Sequence, residues 1–496
     1  MSKLLLAIDQ GTTGTTALVV DTSGKTLGKA GVEFAQHFPR PGWVEHETRD
    51  IWASVGAAVT RALAAAGVAG DRIGGIGITN QRETTVVWRR DTRAPIHRAI
   101  VWQCRRTAEA CAKLVAQGHA RSVRDKTGLV IDAYFSATKV AWLLDHVEGA
   151  RGAAERGELA FGTIDAWLVS ELTAGAEHVT DVTNASRTLL FDIRTMRWDD
   201  GLCALFGVPP QVLPRVAASA EIVGRTLGLD FLPDGIPIAG IAGDQQAALF
   251  GQACFSVGDA KCTYGTGAFA LMNIGSAPIA STHGLVTTVA WKIDGRVTYA
   301  LEGSAFIAGA AVQWLRDGLG LIKQSSDIEA LARSVESTGG VAFVPALAGL
   351  GAPYWDPDAR GTITGLTRGS NAAHLARATL EGIAFSVRDL LFAMASDAGR
   401  EIERLRVDGG ASRNDLLMQF QSDISRASVE RPHEVESTGR GAAMLAGVGL
   451  GWMSPEDAAG MLSLERKFAP SISSQEGDAH LARWSDAVAR ARSGRT

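Results

Sequence analysis

The sequence lacks any uncharged apolar run long enough to cross a bilayer. The apolar stretch near its start, residues 4–8, is too short for the core of a signal peptide. Only five cysteines are present, an odd number without Cys-x-x-Cys spacing, which argues against a disulfide framework or a zinc site. The ten histidines show no zinc-binding spacing either. We therefore expect a soluble cytoplasmic protein with reduced cysteines and no membrane insertion.

An excess of basic residues is also missing, since 49 Lys and Arg stand against 53 Asp and Glu, for a formal net charge of -4. This balance gives no support for binding to nucleic acid or to an anionic membrane surface. The length of 496 residues is too great for one hydrophobic core. It predicts two large domains, each able to bury ample apolar surface.

The chain opens with a hairpin pattern. Residues 4–8 are apolar and residues 16–20 are rich in β-branched side chains, which predicts two antiparallel strands. Glycine and threonine fill the turn between them, and we expect the glycines to supply positive φ angles. Asp9, the threonine hydroxyls and several backbone N–H groups could together hold a polyphosphate and its magnesium ion. An ordinary hairpin turn explains the same residues.

The pattern recurs at residues 260–273, where one strand enters and another leaves a Gly-Thr-Gly turn. Further turns at residues 21–25 and 293–296 indicate that each half opens with a β-meander. Two such halves could hold one nucleotide between them. This organisation resembles the duplicated ribonuclease-H-like fold of actin, hexokinase and the heat-shock-protein ATPases. It implies an α/β protein in which two domains, residues 1–250 and 251–496, flank an active-site cleft.

A run of five polar residues at 80–84 separates two predicted strands at residues 73–79 and 84–88. A solvated hairpin turn would explain this run. Its dense set of donors and acceptors also suits a small ligand rich in hydroxyl groups. Trp102 and Tyr134 could line the carbon side of such a ligand, although core or rim positions are the commoner fate of either aromatic.

Helices are predicted at three further places. Residues 100–102 form a strand that leads into a helix over residues 105–117. A long amphipathic helix begins after Asn371, which would cap it, and ends at residues 397–399. Residues 408–414 follow a strand and precede a helix, and their glycines would let a flat ring approach the backbone.

Two signatures make the resemblance more specific. Residues 134–146 match the first signature of the FGGY family of carbohydrate kinases, with Lys139, Trp142, Asp145 and His146 at its diagnostic places. The second is matched by residues 361–366, a seven-residue spacer and residues 374–381. Within that family, the segments at 77–85, 102–107 and 243–251 resemble the members that phosphorylate glycerol. The resemblance covers essentially the whole chain.

The resemblance implies ATP-dependent phosphorylation of glycerol to sn-glycerol 3-phosphate, a step of glycerol catabolism. It implies ATP, Mg²⁺ and glycerol as ligands. It also implies a homo-oligomer, either a dimer or a tetramer. Asp244 would be the general base. The implied substrate-binding residues are Arg82, Glu83, Trp102, Tyr134, Asp244, Gln245 and Phe269. The implied nucleotide-binding residues are Thr12, Thr13, Gly14, Thr266, Gly309, Gln313, Gly410 and Asn414. Asp9 and Asp244 would hold the metal. Thr16 departs from the pattern, because many of these kinases carry an arginine there.

Alternatives stay open at this point. Asp244 follows an apolar strand and starts a helix, so a simple N-cap explains it as well as a catalytic base does. Another FGGY sugar or polyol kinase would share the whole scaffold, although the polar run at residues 80–83 fits a three-carbon triol better. A protein of the actin or chaperone type, which hydrolyses ATP to drive assembly or partner binding, would need no small-molecule pocket.

Overall fold

The computed structural model describes residues 3–434 and 436–494. Two large β-sheets surrounded by helices form its frame, as expected for the α/β class. The strands are β1 (Leu4–Gln10), β2 (Gly14–Asp21), β3 (Thr26–Glu33), β4 (Glu45–His46), β5 (Ile73–Asn80), β6 (Val86–Arg89), β7 (Ala99–Ile100), β8 (Leu159–Gly162), β9 (Val179–Asp181), β10 (Phe191–Asp192), β11 (Arg197–Trp198), β12 (Arg215–Ala217), β13 (Gly224–Arg225), β14 (Pro237–Gly243), β15 (Ala260–Tyr264), β16 (Ala268–Gly275), β17 (Val286–Ile293), β18 (Arg296–Ala305), β19 (Ala342–Val344), β20 (Thr362–Thr364), β21 (Arg404–Asp408), β22 (Ser428–Pro432) and β23 (Leu464–Phe468).

The α-helices are α1 (Thr48–Ala66), α2 (Ala108–Ala116), α3 (Ala120–Thr127), α4 (Ala137–His146), α5 (Ala150–Glu155), α6 (Ile164–Leu172), α7 (Val182–Ala185), α8 (Asp200–Phe206), α9 (Asp244–Gly251), α10 (Gly309–Asp317), α11 (Asp327–Arg333), α12 (Ala372–Ala398), α13 (Asp415–Ser425), α14 (Ser437–Gly449), α15 (Pro455–Ala459) and α16 (Ser474–Ala491). Short 3-10 turns lie at Gly70–Arg72, Pro210–Val212 and Gly410–Arg413.

The first sheet contains six strands in the order β13-β14-β5-β1-β2-β3. Strands β1, β2 and β3 form the expected antiparallel meander, and their buried side chains pack against α1. Strands β1, β5 and β14 run parallel, with Asn80 opposite both Gln10 and Gly243. The carboxyl ends of these three strands therefore meet at one edge, which is where open α/β sheets place their chemistry.

The second sheet contains seven strands in the order β17-β18-β16-β15-β21-β22-β23. Strand β15 is antiparallel to β16 and parallel to β21, so that Thr263 lies opposite both Phe269 and Asp408. The expected second meander is wrong in one respect, because β18 rather than β17 lies beside β16. Strand β17 takes the sheet edge, where the N–H of Thr287 donates to the carbonyl of Gly128 at 2.9 Å. This edge position lets β17 bond to the earlier part of the chain.

Helix α14 packs against the first sheet although in the sequence it lies between β22 and β23 of the second sheet. One apolar cluster joins α14 and α9 with residues of both sheets. Glycines allow the close approach: a Cβ atom at Gly77 of β5 would overlap the carbonyl oxygen of Ala442, and one at Gly441 would overlap that of Ala247. The backbone of α14 thus packs directly against the backbones of β5 and α9, and this contact helps to hold the two sheets together.

The other helix predictions had mixed outcomes. Asn371 caps α12 by accepting bonds from two backbone N–H groups, and Gly399 ends the helix with φ 62°, both as expected. The helix predicted over residues 105–117 is shorter and is followed by a second helix, α3, after a break at residues 117–119. In residues 3–434 and 436–494, no helix is long and apolar enough to cross a membrane. All five cysteines are free and buried.

Candidate active site

Two side-chain amides hold the turn between β1 and β2. The side-chain amide of Gln36 donates to the carbonyl of Thr12 at 3.0 Å, and that of Gln81 donates to the carbonyl of Gly11 at 3.1 Å. Thr12 and Gly14 are partly exposed and Thr13 is exposed. The turn is therefore a fixed loop whose threonines face solvent at the carboxyl edge of the first sheet.

The expectation that glycines give this turn positive φ angles is wrong. Gly11 and Gly14 have φ values outside the left-handed region. Gly14 is required by space instead, since a Cβ there would lie 2.7 Å from the carbonyl oxygen of Val32 on β3. The glycine thus allows β3 to approach the turn closely.

Asp9 lies at the end of β1, in register with Thr79 of β5. Burial and then the neighbouring charge of Asp244 raise the pKa of Asp9 to about 8. A carboxylate that raises the proton affinity of a neighbouring one is well placed to share a cation with it. Within the described residues, no cluster of three or more His, Cys, Asp or Glu could hold a metal ion.

The polar run at residues 80–84 is buried, so the interpretation as a solvated hairpin turn is wrong. Each of its residues is at most 2% exposed, and β5 does not pair with β6. Glu83 has φ 61°, an uncommon angle for a residue other than glycine. The hydroxyls of Thr85 and Ser136 both donate to the carbonyl of Glu83 at 3.0 Å and hold it in this conformation. Backbone strain of this kind clusters at functional sites.

A buried ion cluster surrounds this segment. Arg82 donates through Nη1 and Nη2 to the two carboxylate oxygens of Glu302, at 2.6 and 2.8 Å. Arg187 donates to Glu83 at 2.7 Å and to Glu302 at 3.0 Å. Burial raises the pKa of Glu83 while Arg82 and Arg187 oppose it. Charges buried this deeply are costly unless they are paired, and here each carboxylate has a guanidinium partner.

Asp244 lies at the floor of the site, beside this cluster. It is the first residue of α9, whose N-cap is Gly243, so Asp244 is not the cap residue itself. Its Oδ1 accepts the N–H of Gln245 at 2.7 Å and lies 3.2 Å from Nε of Arg82. Burial raises the pKa of Asp244, and Arg82 opposes this. Its side chain is still 32% exposed, which leaves the carboxylate accessible to a ligand.

Two aromatic rings form one wall. The rings of Trp102 and Tyr134 pack edge to face with centroids 5.5 Å apart. The indole N–H of Trp102 donates to Oγ1 of Thr12 at 2.9 Å, which ties the aromatic wall to the first turn. Burial and then the charge of Glu83 raise the pKa of Tyr134, so its hydroxyl stays protonated. The wall is apolar in its rings and polar at its edge.

Lys261 connects the first part of the site to the second sheet. Its Nζ donates to Oε1 of Gln245 and, at 3.0 Å, to Oγ1 of Thr263. Because lysine can only donate, the carbonyl side of the Gln245 amide must face it, which leaves the NH₂ group to donate elsewhere. Phe269 lies opposite Thr263 on β16 and is partly exposed.

The second turn, residues 265–267, is closed by a 2.9 Å bond from the N–H of Gly265 to the carbonyl of Gly267. The helix α10 starts directly against it, since the N–H of Gly309 donates to the carbonyl of Gly265 at 2.9 Å. The N–H of Gly309 is thus occupied, and a Cβ there would lie 2.7 Å from the same carbonyl oxygen, so the glycine allows the turn and the helix to pack closely. Thr266 and Gln313 are exposed beside it.

The turn after β21 lies next to the second turn. Gly409 has φ 84°, and a Cβ there would lie 2.6 Å from the carbonyl oxygen of Tyr264. A Cβ at Gly410 would meet nothing within 4 Å, which leaves a bare backbone surface for a flat ring. Asn414 accepts the N–H of Leu417 at 2.9 Å and caps α13, so its side-chain NH₂ group is the part left for a ligand.

Comparison with known proteins identifies this arrangement. Residues 4–251 match the FGGY family of carbohydrate kinases, N-terminal domain, and residues 260–450 match the C-terminal domain of the same family. The chain belongs to the FGGY family of carbohydrate kinases.

The similarity extends over whole proteins. Glycerol kinase from Myxococcus xanthus is 56% identical over 493 residues, which are 99% of this chain and 99% of that protein. Glycerol kinase from Thermus thermophilus is 54% identical over 489 residues, 98% of this chain and 99% of that protein. The crystal structure of Plasmodium falciparum glycerol kinase with ADP has a TM-score of 0.93 and 36% identity, with 100% of this chain and 99% of that chain covered. These matches confirm the two-domain α/β architecture.

The first FGGY signature supports the site from behind. Lys139 is buried and donates to the carbonyls of Tyr134 and Phe135 at 2.6 and 3.1 Å, which fixes the segment that carries the aromatic wall. Trp142 stacks on His146 with centroids 4.3 Å apart. Asp145 pairs with Arg151 at 2.6 Å. Lys139 therefore positions the wall, whereas Trp142, His146 and Asp145 make contacts away from it.

Sequence reasoning missed three charged residues of the site. They are Arg187, Lys261 and Glu302, each buried. The available signal was a charged residue inside an apolar strand, as with Lys261 in β15 and Glu302 in β18. A buried charge in a strand needs a partner, and the partner is often functional.

Proposed function

We propose that this FGGY kinase transfers the γ-phosphoryl group of ATP to a terminal hydroxyl of glycerol and releases sn-glycerol 3-phosphate and ADP. The observation that carries the proposal is the site built at the joined ends of β1, β5 and β14. There Arg82, Glu83 and Asp244 lie together, and the Trp102–Tyr134 wall stands beside them. Donors and acceptors on one side and aromatic rings on the other suit a small polyol. Relatives of similar length at 54–56% identity are glycerol kinases.

Phosphoryl transfer asks a protein mainly for positioning and for charge stabilisation. Asp244 accepts the proton of the attacking hydroxyl, and the oxygen then forms its bond to phosphorus as the bond to ADP breaks. Burial raises the pKa of Asp244, which makes its carboxylate a better proton acceptor. Arg82 lies 3.2 Å from the same carboxylate and limits this rise.

Magnesium fits the acids of this site. Mg²⁺ is usually held by one or two carboxylates together with waters and phosphate oxygens. Asp9 and Asp244 supply two carboxylates, and the raised pKa of Asp9 means that a cation between them would relieve a repulsion. When bound, the ion would screen the charge of the phosphates. We propose both residues as its ligands.

The nucleotide is proposed to lie between the two turns. Thr12, Thr13 and Gly14 would contact the phosphates from the first sheet, with Thr266 and Gly309 from the second. The exposed backbone at Gly410, with Asn414 and Gln313, would receive the adenosine. This assignment divides the chain into the proposed domains 1–250 and 251–496. The cytoplasmic location and the homo-oligomer stay predictions.

An ADP-release assay over a panel of acceptors tests the function. We expect turnover with glycerol to exceed that with xylulose, ribulose and gluconate by at least about a hundredfold, because a pocket fitted to three carbons rejects larger acceptors. Phosphorus NMR of the product should show a monoester at a terminal carbon. Preferred turnover of a pentulose or of gluconate would refute the glycerol assignment, and ATP hydrolysis without any acceptor would refute the kinase assignment.

A further inference from the structure

We propose that His46 is a positioning residue for the nucleotide phosphates. Its imidazole sets the side-chain amide of Gln36, and that amide holds the first turn, residues 11–13, so that its N–H groups face the nucleotide. The inference rests on the proposed function. His46 belongs to the two-residue strand β4 and is completely buried. Its ring packs edge to face on Phe34, with centroids 5.1 Å apart.

The first turn is held by its carbonyl oxygens. Three consecutive carbonyls accept hydrogen bonds, from the Gln81 amide to Gly11 at 3.1 Å, from the Gln36 amide to Thr12 at 3.0 Å and from the N–H of Phe34 to Thr13 at 3.2 Å. In a trans peptide the N–H group points opposite to the carbonyl, so the N–H groups of residues 12–14 point away from these donors. Within residues 3–434 and 436–494, those of Thr12 and Thr13 donate to no protein group. Successive N–H groups presented by a turn suit an anion such as a phosphate.

The orientation of the Gln36 amide follows from His46. The amide nitrogen of Gln36 donates to the carbonyls of Thr12 and Phe34, at 3.0 and 3.4 Å, so Oε1 is the acceptor end. This Oε1 lies 2.6 Å from Nε2 of His46, which must therefore carry a proton. If the amide were rotated by half a turn, Oε1 would face the carbonyl of Thr12 and the imidazole N–H would face an NH₂ group. The imidazole thus decides which end of the amide meets the first turn.

The other imidazole nitrogen faces a donor. Nδ1 of His46 lies 3.4 Å from the amide nitrogen of Gln81, whose Oε1 accepts the hydroxyl of Thr84 at 2.9 Å. Nδ1 is therefore the bare nitrogen, and the ring is neutral with its proton on Nε2. Burial, and then the charge of His37, lowers the pKa of His46 to about 4, in agreement with a neutral ring. His46 thus contacts both of the side-chain amides that hold the turn.

A packing role alone would not need these nitrogens. Replacing both partners of a buried hydrogen bond by apolar groups is often nearly neutral for folding. Here the bonds continue from the imidazole through Gln36 to the backbone of Thr12. The hydroxyl of Thr12 accepts the indole N–H of Trp102 at 2.9 Å, which leaves the hydroxyl proton to donate to a phosphate oxygen. The chain of bonds ends at a residue that would contact the phosphates, which favours a role in binding them.

His46→Gln and His46→Met test the inference as a matched pair. The two new side chains have similar length and volume, and only glutamine can donate to Gln36 and accept from Gln81. In His46→Met, the KM for ATP should rise and kcat should fall, each at least about tenfold, while the KM for glycerol stays within about threefold of the parent. In His46→Gln, all three constants should stay within about threefold of the parent. Equal kinetics of the two variants would overturn the inference, because a packing role does not depend on the donor.

Two further measurements keep the test decisive if His46→Met folds poorly. Gln36→Met removes the next member of the chain of bonds and should show the same rise in the KM for ATP. An unchanged KM for ATP in Gln36→Met would overturn the inference. Nitrogen NMR of the parent labelled with ¹⁵N-histidine, with His46 assigned by comparison with His46→Gln, should show the proton on Nε2. A proton on Nδ1 would overturn the inference as well.

His178 offers the matched control. Its Nε2 donates to the carbonyl of Phe161 at 2.8 Å, its Nδ1 accepts from Arg90 at 3.0 Å, and its ring packs edge to face on Trp88. His178→Met should cost similar stability and leave the KM for ATP unchanged. Parent turnover is measured in the same assay: if the parent does not phosphorylate glycerol, the proposed function fails. If the parent is active and His46→Met behaves like it, only the inference about His46 fails.

Discussion

Replacement of Asp244 by asparagine separates the catalytic role of this residue from a structural one. Asparagine keeps the shape, and its Oδ1 can still accept the N–H of Gln245, now made at 2.7 Å. What it loses is the charge. Both roles predict a folded protein, but only the catalytic role predicts an inactive one.

The structural cost of this change is small. Asp244 stands in the first turn of α9, where a negative charge is worth about 0.3–1 kcal/mol to the helix. Arg82 loses one partner at 3.2 Å but keeps both bonds to Glu302. The repulsion that raises the pKa of Asp9 also disappears, which offsets part of the loss. We expect the free energy of unfolding to fall by about 1 kcal/mol, a shift of at most a few degrees in Tm.

The catalytic cost is larger. A general base contributes about a hundredfold to ten-thousandfold, so kcat should fall at least about a hundredfold, or about 2.7 kcal/mol in the activation barrier. Coupled ADP release measures kcat, calorimetric titration measures nucleotide binding and differential scanning fluorimetry measures Tm. Asp199→Asn is the control, since Asp199 caps α8 and pairs with Lys126 at 2.6 Å. It should cost similar stability and no activity. Turnover of Asp244→Asn within a few-fold of the parent would refute the assignment of the base.

Three other expectations concern stability and motion. The folded state holds the Asp9 proton to about pH 8, whereas the unfolded state releases it near pH 4, so the free energy of unfolding falls as the pH rises across this range. In fluorimetry, Asp9→Asn should therefore raise Tm at pH 8 and leave it unchanged at pH 4. An equal gain at both pH values would contradict this reasoning. In chemical denaturation, Gly441→Ala should lower the free energy of unfolding by at least about 1–3 kcal/mol. Gly477→Ala in α16 should instead raise it by about 0.5–1 kcal/mol, because no atom lies closer than 3.9 Å to the added Cβ. A neutral Gly441→Ala would disprove the close packing. The cleft should close when nucleotide and glycerol bind together, because the turns lie on different sheets, and an unchanged radius of gyration in small-angle scattering would count against closure.

Local patterns in the sequence predicted the local elements well. The apolar and β-branched residues around the first turn predicted its two strands, and Asn371 predicted the start of α12, because both signals depend on neighbours within a few residues. The recurrence of the turn at residues 265–267 predicted the second half of the site in the same way. The strand order of the second sheet could not be found, because β17 is placed by its bonds to distant residues such as Gly128.

The ion cluster could not be predicted for a related reason. Arg82 and Glu302 are 220 positions apart in the sequence. No local pattern around either residue indicates that the other is its partner. The run at residues 80–84 looks like a solvated turn because its polarity is visible in the sequence and its partners are not. The sequence suggests that glycine is needed in the first turn for positive φ angles. In the structure, Gly14 is needed because the carbonyl oxygen of Val32 lies too close for a side chain.

The placement of α14 has a consequence for how the chain folds during synthesis. The face of the first sheet that carries Gly77, with the neighbouring helix α9, is covered by residues that leave the ribosome some 190 positions after α9 is complete. Until then that apolar face is exposed to water, and a nascent chain of about 250 residues has no means of burying it. We expect the first part to stay an incomplete, chaperone-dependent intermediate until residue 449 has emerged, since burial of such a face supplies much of the driving force for folding. The two sheets then reach their final stability together rather than one after the other.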